Sequence, residues 1–383
     1  MIHALLFFSL LFLLLTNKNR NKHVIDPWFL CILALSFCFI SILISKPSSL
    51  YFQELGNFSK PAIWLFMIYV LNQINLDSVF IKRLMFCFWW GMVISIFMTF
   101  FIADSGLQEG FYKTADGEMI EGNLSGRAMS NKGFTGCIPF VMILSLYWAK
   151  NNTLFKRLIF YLVIGSAIVF LFRSYQRTTQ LAICMAIFYA VFVNLKNFKV
   201  SQLIGVTIAA VLLFSFLFTY GQNYLVRWMM VEEDGGSGRN EIQKVVIDYE
   251  LNEANINAIL FGVGISGIFN VTESSLGIAL HTHSDFFDFW LGYGIIGLLV
   301  YLYIYYLFWR QTSTMFEKGS RELLLIRCAF VSLGVCSFVS GLMESVFTYS
   351  MFYVMIVYLC MNYIERTENI QLISRDNYYG LHN

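Results

Sequence analysis

The amino-acid sequence predicts an all-α fold, a polytopic transmembrane helical bundle of about eleven (11–12) helices with a large extramembranous loop carrying short helices. Of its 383 residues, 58% are apolar and 13% are charged, whereas soluble domains have about 45–50% apolar and about 25% charged residues. This composition excludes an ordinary soluble enzyme, and a net charge of +2 gives no indication of nucleic-acid binding. Long apolar runs recur along the chain, and in lipid they must be helical because every backbone polar group needs an internal partner.

The apolar runs divide the chain into one integral membrane domain with three parts. We expect eight spans and a loop at 104–133 within residues 1–220, a large loop at 221–284, and three spans with a tail within 285–383. The first run lacks a basic leader and a small-residue cleavage site, so we keep it in the mature protein. The predicted spans are 2–16, 28–45, 61–74, 84–103, 134–149, 158–172, 180–194, 203–220, 286–308, 323–342 and 345–363.

Basic residues are concentrated in alternate short loops, which predicts the orientation of the bundle. Lysine and arginine are enriched on the cytoplasmic side of membrane proteins. The pattern therefore places the C-terminus inside, the N-terminus outside, and both long loops outside. The cytoplasmic set comprises Lys18, Arg20, Lys22, Lys82, Arg83, Lys150, Lys156, Arg157, Lys196, Lys199, Arg310, Lys318, Arg321, Arg327, Arg366 and Arg375.

A group of arginines on the outer side departs from this pattern. Two interpretations are open. Each side chain could extend to the lipid headgroups, or the group could bind an anion, since a guanidinium grips phosphate with a planar fork of donors. A lipid-linked diphosphate is the natural anion at this depth. The group comprises Arg173, Arg177 and Arg239, with Arg127 and Arg227 as further candidates.

Two histidines, His281 and His283, stand at the mouth of the ninth span. Each could be an interfacial histidine with a hydrogen-bonded ring, or a general base, because neutral imidazole accepts a proton near neutral pH. A metal site is disfavoured because H-x-H supplies too few ligands, and the eight cysteines lie in apolar runs. We therefore predict no metal and no cofactor. Asp285 and Asp288 follow near the outer rim, where intramembrane acids are usually functional.

Four stretches resemble the O-antigen polymerase and ligase superfamily. His283-Ser284, followed by Gly294-Ile-Ile-Gly297, is similar to the family's His-Asn…Gly-(Leu/Ile)-Ile-Gly signature, with serine in place of the usual asparagine. Ser174-Tyr-Gln-Arg177 is similar to its Ser-x-x-Arg turn. Gly236-Ser-Gly-Arg239, followed by a predicted helix over 239–250 and Phe261-Gly-Val-Gly264, is similar to its Ser-Gly-Arg…Gly-x-Gly loop. The stretch 126–136 resembles its asparagine-rich entry to a mid-chain span.

The resemblance implies a metal-independent glycosyltransferase of GT-C-like type that uses undecaprenyl-diphosphate-linked glycan on the periplasmic face of the bacterial inner membrane. It implies that Arg177 and Arg239 bind the diphosphate, with Arg173, Arg127 and His281 nearby, and that His283 is the catalytic base. The base is assigned to His283 by the family spacing alone. A chain-length regulator and other polysaccharide export proteins are the partners that it suggests.

Three functions remain open at the level of sequence. A polymerase joins one lipid-linked repeat to another, and we favour it because the chain is short, rich in Phe and without a strongly basic outer surface for phosphorylated core. A ligase would transfer the glycan to lipid A–core. A flippase or transporter would place ionisable residues near the midplane on broken helices in paired repeats, whereas the unusual polar residues here gather at the outer rim.

Overall fold

The computed structural model describes residues 26–73, 78–101, 108–113, 119–125, 132–150, 153–173, 177–194, 239–315 and 320–340. These residues are predominantly helical, which confirms the predicted fold class. A 3₁₀ turn at Ser48–Leu50 and a π-helical turn at Tyr249–Glu253 accompany the α-helices. The α-helices are α1 Pro27–Ser45, α2 Tyr51–Gln73, α3 Ser78–Phe101, α4 Lys132–Lys150, α5 Leu154–Arg173, α6 Arg177–Asn194, α7 Arg239–Asp248, α8 Ile256–Phe261, α9 Ile265–Leu276, α10 Asp285–Met315 and α11 Arg321–Ser340.

Apolar helices account for most of the predicted spans. Within the described residues, three stretches are long and apolar enough to cross a membrane, namely Pro27–Ser45, Leu154–Leu171 and Asp285–Ser313. Shorter apolar helices run over Met85–Met98, Ile138–Ala149, Thr178–Val193 and Leu323–Val339. Eight of the eleven predicted spans coincide with helices. The predicted spans 2–16, 203–220 and 345–363 lie outside the described residues, so the total number stays a prediction.

Two regions differ from the sequence-based prediction. Helix α2 begins at Tyr51, well before the predicted start at residue 61, because the polar turn around Glu54 is stabilised by contacts with distant residues. The loop predicted at 104–133 contains an antiparallel hairpin of β1 Gln108–Lys113 and β2 Met119–Ser125, with Phe111 opposite Glu121. Strand pairing satisfies the backbone groups of these extended segments. The otherwise all-α prediction missed this hairpin.

Helix α10 lies in the core of the described bundle. It packs against α1, α8, α9 and α11. Trp28 at the start of α1 packs against Phe308 with ring centroids 5.0 Å apart, and Phe308 packs in turn against Phe330 of α11 at 4.9 Å. Large apolar side chains such as Ile44 and Phe37 are exposed on α1, as expected for a surface that faces lipid.

A break in α10 divides it into an outer and an inner half. Gly294 has φ +67° and ψ −164°, which is incompatible with a continuous helix. The turn over Gly262–Gly264 crosses the break, where the Val263 N–H donates to the Leu291 carbonyl and the Gly264 N–H to the Gly292 carbonyl, both at 2.9 Å. These bonds satisfy two of the groups that the break affects, as a buried backbone requires. We call this contact of 262–264 with 292–294 the glycine crossing.

The large loop carries its own helices and packs onto the outer half of α10. The helix predicted over 239–250 is observed as α7 continued by the π turn. Val246 of α7, Ile268 of α9 and Phe287 and Leu291 of α10 form a buried apolar cluster. The loop is therefore attached to the membrane helices by a core of its own as well as by the glycine crossing.

Candidate functional site

Residues 281–284 form a compact turn that leads into α10. Buried Thr272 of α9 holds its start, because the Thr272 hydroxyl accepts from the Leu280 N–H at 2.9 Å. Thr282, which is fully buried, places its Oγ1 2.6 Å from Asp288 Oδ1 and accepts from the Ser284 N–H at 3.2 Å. Hydroxyl-to-carboxylate bonds of this length are among the stronger ones in proteins. The backbone that carries both histidines is thus fixed from two sides.

His283 adopts a backbone conformation that is uncommon for a residue with a side chain. Its φ of +55° is the single positive value among the described non-glycine residues. Such residues are usually held in place by surrounding structure and concentrate at functional sites. The Thr282 bonds to Asp288 and Ser284 supply that surrounding structure here. The predicted base therefore stands one residue before the buried Ser284 and two before the start of α10.

Asp285 connects the start of α10 to the end of α11. The carboxylate is fully buried, and its Oδ2 accepts from Ser337 Oγ at 2.5 Å. Ser337 Oγ also lies 3.1 Å from the Tyr301 hydroxyl. Asp285 and Asp288 both stand in the first turn of α10, where the helix dipole favours negative charge. The two rim acids noted in the sequence are therefore buried and hydrogen-bonded.

A cleft of about 380 Å³, counting its open mouth, lies between α2 and the outer half of α10. His281 lines it and makes an edge-to-face contact with Phe269, with ring centroids 4.2 Å apart. His283 is absent from the lining. The lining residues are Asn57, Lys60, Pro61, Ile265, His281, Asp285, Asp288, Phe289 and Tyr293.

Asn57 and Lys60 escaped prediction from the sequence. Lys46 and Lys60 flank the polar segment between the second and third predicted spans, which the charge pattern placed outside. They depart from the positive-inside pattern as the outer arginines do. That departure was the available signal for a second group of outer cations.

The position of Arg177 follows from the register of α6 and α11. Ser332 Oγ donates to the Ala182 carbonyl at 3.2 Å, and Cys328 Sγ contacts the Ala186 carbonyl at 3.5 Å, so the helices are antiparallel. The same register places the backbone of Arg177 level with Ser337, the partner of Asp285. The start of α6, the end of α11 and the start of α10 therefore meet at what we call the outer end of the bundle.

The other predicted arginines lie at the ends of helices or outside the described residues. Arg173 ends α5, four residues before Arg177 starts α6, and Gln180 Nε2 binds the Leu171 carbonyl at 3.1 Å across this connection. Arg239 begins α7, which packs on α9 and α10. Arg127 and Arg227 lie outside the described residues. The structure thus brings the backbones of Arg173 and Arg177 to the outer end and connects Arg239 to it through α7.

A set of three side chains, which we call the charged clasp, attaches the large loop to α1 and α2. Lys46 Nζ lies 3.5 Å from Glu54 Oε1 and 3.0 Å from Ser266 Oγ. Glu54 Oε1 also accepts from the Ser266 N–H at 3.2 Å and from the Ser266 hydroxyl. Glu54 is only 3% exposed. Gly264 lies so close that a Cβ there would stand 2.7 Å from Glu54 Oε1.

The described residues include no group of three or more His, Cys, Asp or Glu side chains that could hold a metal ion. The polar groups at the outer end instead form hydrogen-bonded pairs between helices.

Comparison with known proteins identifies a domain that includes this site. Residues 160–302 match the family model described as O-antigen ligase. This part of the chain is similar to the O-antigen ligase family. The match confirms the predicted resemblance to the O-antigen polymerase and ligase superfamily, and it includes Arg173, Arg177, Arg239, His281 and His283. Arg127 and the clasp residues Lys46 and Glu54 lie outside it. A comparison with curated proteins finds no match.

The match agrees with the helical architecture. The chain is a helical membrane protein that is similar, over residues 160–302, to O-antigen ligases. Within the domain, the family match covers both Gly-x-Gly segments of the glycine crossing and the whole outer half of α10. The clasp residues Lys46 and Glu54 and the α2 side of the cleft are contributed by the part of the chain that precedes the match, whereas Ser266 lies within it.

Proposed function

We propose that this chain is an O-antigen polymerase of the bacterial inner membrane. In this proposal it transfers an undecaprenyl-diphosphate-linked glycan onto another lipid-linked repeat unit on the periplasmic face, during lipopolysaccharide biosynthesis. The observation that carries the proposal is the meeting of three elements at the outer end. The start of α6 at Arg177, the turn bearing His283 before α10, and the end of α11 at Ser337 come together there.

The proposed chemistry is a displacement at the anomeric carbon. The acceptor hydroxyl oxygen forms the new glycosidic bond, the bond from the anomeric carbon to the diphosphate oxygen breaks, and undecaprenyl diphosphate leaves. His283 takes the hydroxyl proton as general base. Arg177 and Arg239 bind the diphosphate and stabilise the negative charge that grows on it, a contribution of about 3 kcal/mol per well-placed donor in comparable sites. We propose that the reaction needs no metal, and full turnover in excess chelator would support this.

Two features favour the polymerase over the ligase. The chain is short and without a strongly basic outer surface, whereas lipid A–core carries phosphate groups. The cleft beside the histidines also contains two buried carboxylates, Asp285 and Asp288, which would repel a phosphorylated acceptor. The terminal sugar of a neutral repeat unit avoids this repulsion, because the diphosphate of the lipid-linked repeat lies at its opposite end.

The broken helix α10 is a feature that transporters share, because their substrate sites use discontinuous helices. In this chain the Val263 and Gly264 N–H groups bind two carbonyls at the break. The break therefore serves to attach the large loop rather than to present backbone carbonyls to an ion. It gives no specific support to a transport function.

Deletion of the gene in its host, followed by gel analysis of the lipopolysaccharide, tests the proposal. A polymerase predicts core bearing a single repeat. Plasmids carrying His283→Ala or Arg177→Ala should fail to restore the ladder, while the matched control Arg157→Ala, exposed on α5 at the cytoplasmic end, should restore it. Bare core with long glycan accumulated on undecaprenyl diphosphate would assign a ligase instead. An unchanged ladder would refute both.

A further inference from the structure

The backbone conformation of His283 depends on its two neighbours in the chain. Its φ of +55° is uncommon for a residue with a Cβ, and such a conformation persists only where the surrounding structure holds it. Thr282 before it and Ser284 after it are both fully buried, whereas His283 itself is partly exposed. The direction in which the imidazole points is therefore set by the way Thr282 and Ser284 are held.

Asp288, in the first turn of α10, contacts both of these neighbours. Its Oδ1 accepts from the Thr282 hydroxyl at 2.6 Å, and its backbone N–H donates to the Ser284 carbonyl at 2.9 Å. The Thr282 hydroxyl oxygen in turn accepts from the Ser284 N–H at 3.2 Å. One aspartate therefore holds the chain on either side of His283.

The bond between Thr282 and Asp288 is the strongest of these contacts. The Thr282 hydroxyl has a single proton and two acceptors within reach, Asp288 Oδ1 at 2.6 Å and the Ser284 carbonyl at 2.9 Å. The carboxylate takes the proton, because the contact is shorter and charge-assisted bonds are stronger. Asp288 is only 6% exposed, and the scarcity of water around a buried hydrogen bond strengthens it further.

Helix α10 gives Asp288 a fixed position. The adjacent Phe287 and, one turn away, Leu291 are buried in the apolar cluster that α10 shares with α7 and α9. Groups on a packed helix are held more precisely than groups on a loop, and a misplacement of about 1 Å can slow a reaction by roughly 100-fold. The helix thus supplies precision that the turn bearing His283 does not have by itself.

We propose that Asp288 and Thr282 are positioning residues, which hold the His283 imidazole in the orientation that takes the proton from the acceptor hydroxyl. The inference rests on the proposed glycosyl transfer and deepens it, because it gives buried Asp288 a role in the same step. Neither residue touches the substrate. Asp288 acts through the Thr282 hydroxyl, and Thr282 acts through the backbone of the turn. Loss of this link should slow the proton transfer and leave binding of the donor unchanged.

Steady-state transfer of the lipid-linked repeat by the full chain in lipid nanodiscs tests this role. Thr282→Val removes the hydroxyl at nearly constant shape and should lower kcat at least about tenfold, with KM changed by less than about twofold. Thr282→Ser keeps the hydroxyl and should retain most of the wild-type kcat. Asp288→Asn offers the hydroxyl a neutral acceptor in place of a charged one and should give an intermediate kcat.

The matched control is Thr312→Val on the inner half of α10. Thr312 is as fully buried as Thr282, and its hydroxyl donates to the Trp309 carbonyl at 2.7 Å, so the loss of this hydroxyl should leave kcat unchanged. The Kd for undecaprenyl diphosphate should be the same in all variants, because that ligand is assigned to the arginines. Thermal melting establishes that each variant is folded. If Thr282→Val does not fold, the kcat of Asp288→Asn decides.

Three outcomes would overturn the positioning role. These are a wild-type kcat in Thr282→Val or Asp288→Asn, a Thr282→Ser variant as slow as Thr282→Val, or a loss that appears in KM and in the Kd for undecaprenyl diphosphate rather than in kcat. Transfer by the wild-type protein separates these failures from that of the proposed function. If the wild-type protein transfers glycan, His283→Ala does not, and Thr282→Val keeps its kcat, only the positioning role is wrong. If the wild-type protein transfers none, the proposed function fails and this inference fails with it.

Discussion

The large loop is attached to the membrane helices in two physically different ways. At the glycine crossing, backbone meets backbone, and a Cβ on Gly262 would stand 2.3 Å from the Gly292 carbonyl oxygen. At the charged clasp, side chains meet, and Lys46 reaches Ser266 across 220 positions of sequence. The first attachment leaves no room for a side chain at Gly262 or Gly294. The second depends on a balance of charges that a compensating substitution can restore.

This difference shows at which positions of the loop attachment residues can be substituted and at which they cannot. A clash between an added side chain and a neighbouring backbone cannot be relieved by a second substitution elsewhere, because protein interiors are close-packed. A buried ion pair is different, since replacing both partners by neutral residues is often tolerated while removing one is costly. We therefore expect the crossing and the clasp to respond oppositely to paired substitutions.

The largest effect is expected at the glycine crossing. Gly294→Ala would place a Cβ 2.4 Å from the Leu260 carbonyl carbon at a φ of +67°. Backbone strain of about 1–3 kcal/mol and overpacking of about 1–3 kcal/mol should together cost roughly 2–6 kcal/mol. The folded yield should fall severely in size-exclusion chromatography after graded heating.

Gly277→Ala is the matched control for that experiment. Gly277 has a similar φ of +71°, but a Cβ added there would meet nothing within 4 Å. The strain alone should cost about 1 kcal/mol. Gly277 is left-handed with ψ 4°, whereas Gly294 has ψ −164°. Equal losses in the two variants would mean that the positive φ, and not the close approach of the backbones, makes glycine necessary at residue 294.

An intermediate effect is expected at the charged clasp. Glu54→Gln leaves Lys46, whose side chain is 13% exposed, without its carboxylate. Loss of one partner of a buried pair typically costs about 3 kcal/mol or more. The double variant Lys46→Met with Glu54→Gln should recover part of the thermal stability. If the melting temperature of the double variant falls by the sum of the decreases in the two single variants, the compensating role of charge is contradicted.

The smallest effect is expected at Glu250, in the loop but outside both attachments. Burial raises the pKa of its carboxyl to about 7 from an ordinary value of 4.5, and its Oε1 has no hydrogen-bond partner among the described residues. The folded state therefore keeps a proton that the unfolded state releases between these values. Stability should fall as pH rises from about 4.5 to 7 and then level off.

Glu250→Gln, which imitates the protonated carboxyl, should remove this part of the pH dependence. Its melting temperature should exceed that of the wild-type protein at pH 8 and equal it near pH 4. The control Glu253→Gln replaces an exposed carboxylate of the same turn and should leave the profile unchanged. A Glu250→Gln profile that follows the wild-type one would indicate that the carboxyl is ionised in the fold at neutral pH.

Much of the fold follows from local sequence. The apolar runs predicted α1, α3–α6, α10 and α11 closely, since a segment in lipid has few alternatives to a helix. The polar first half of α2 and the hairpin over 108–125 escaped prediction. The contacts that hold Glu54 come from residues far away in sequence, and strand pairing depends on a partner segment rather than on either strand alone.

The candidate site likewise has features that the sequence predicts and features that only the folded structure shows. The sequence by itself determined the resemblance to the O-antigen polymerase and ligase superfamily, and it predicted the two histidines, the rim acids and the arginines as candidates, because residue type and spacing are local properties that motifs preserve. Only the tertiary structure decided that the Gly-x-Gly segments cross each other, that Asp285 binds Ser337, and that Lys46 and Glu54 bind Ser266. These pairings join segments separated by long stretches of chain, and their energies depend on burial and distance, which exist only once the chain is folded.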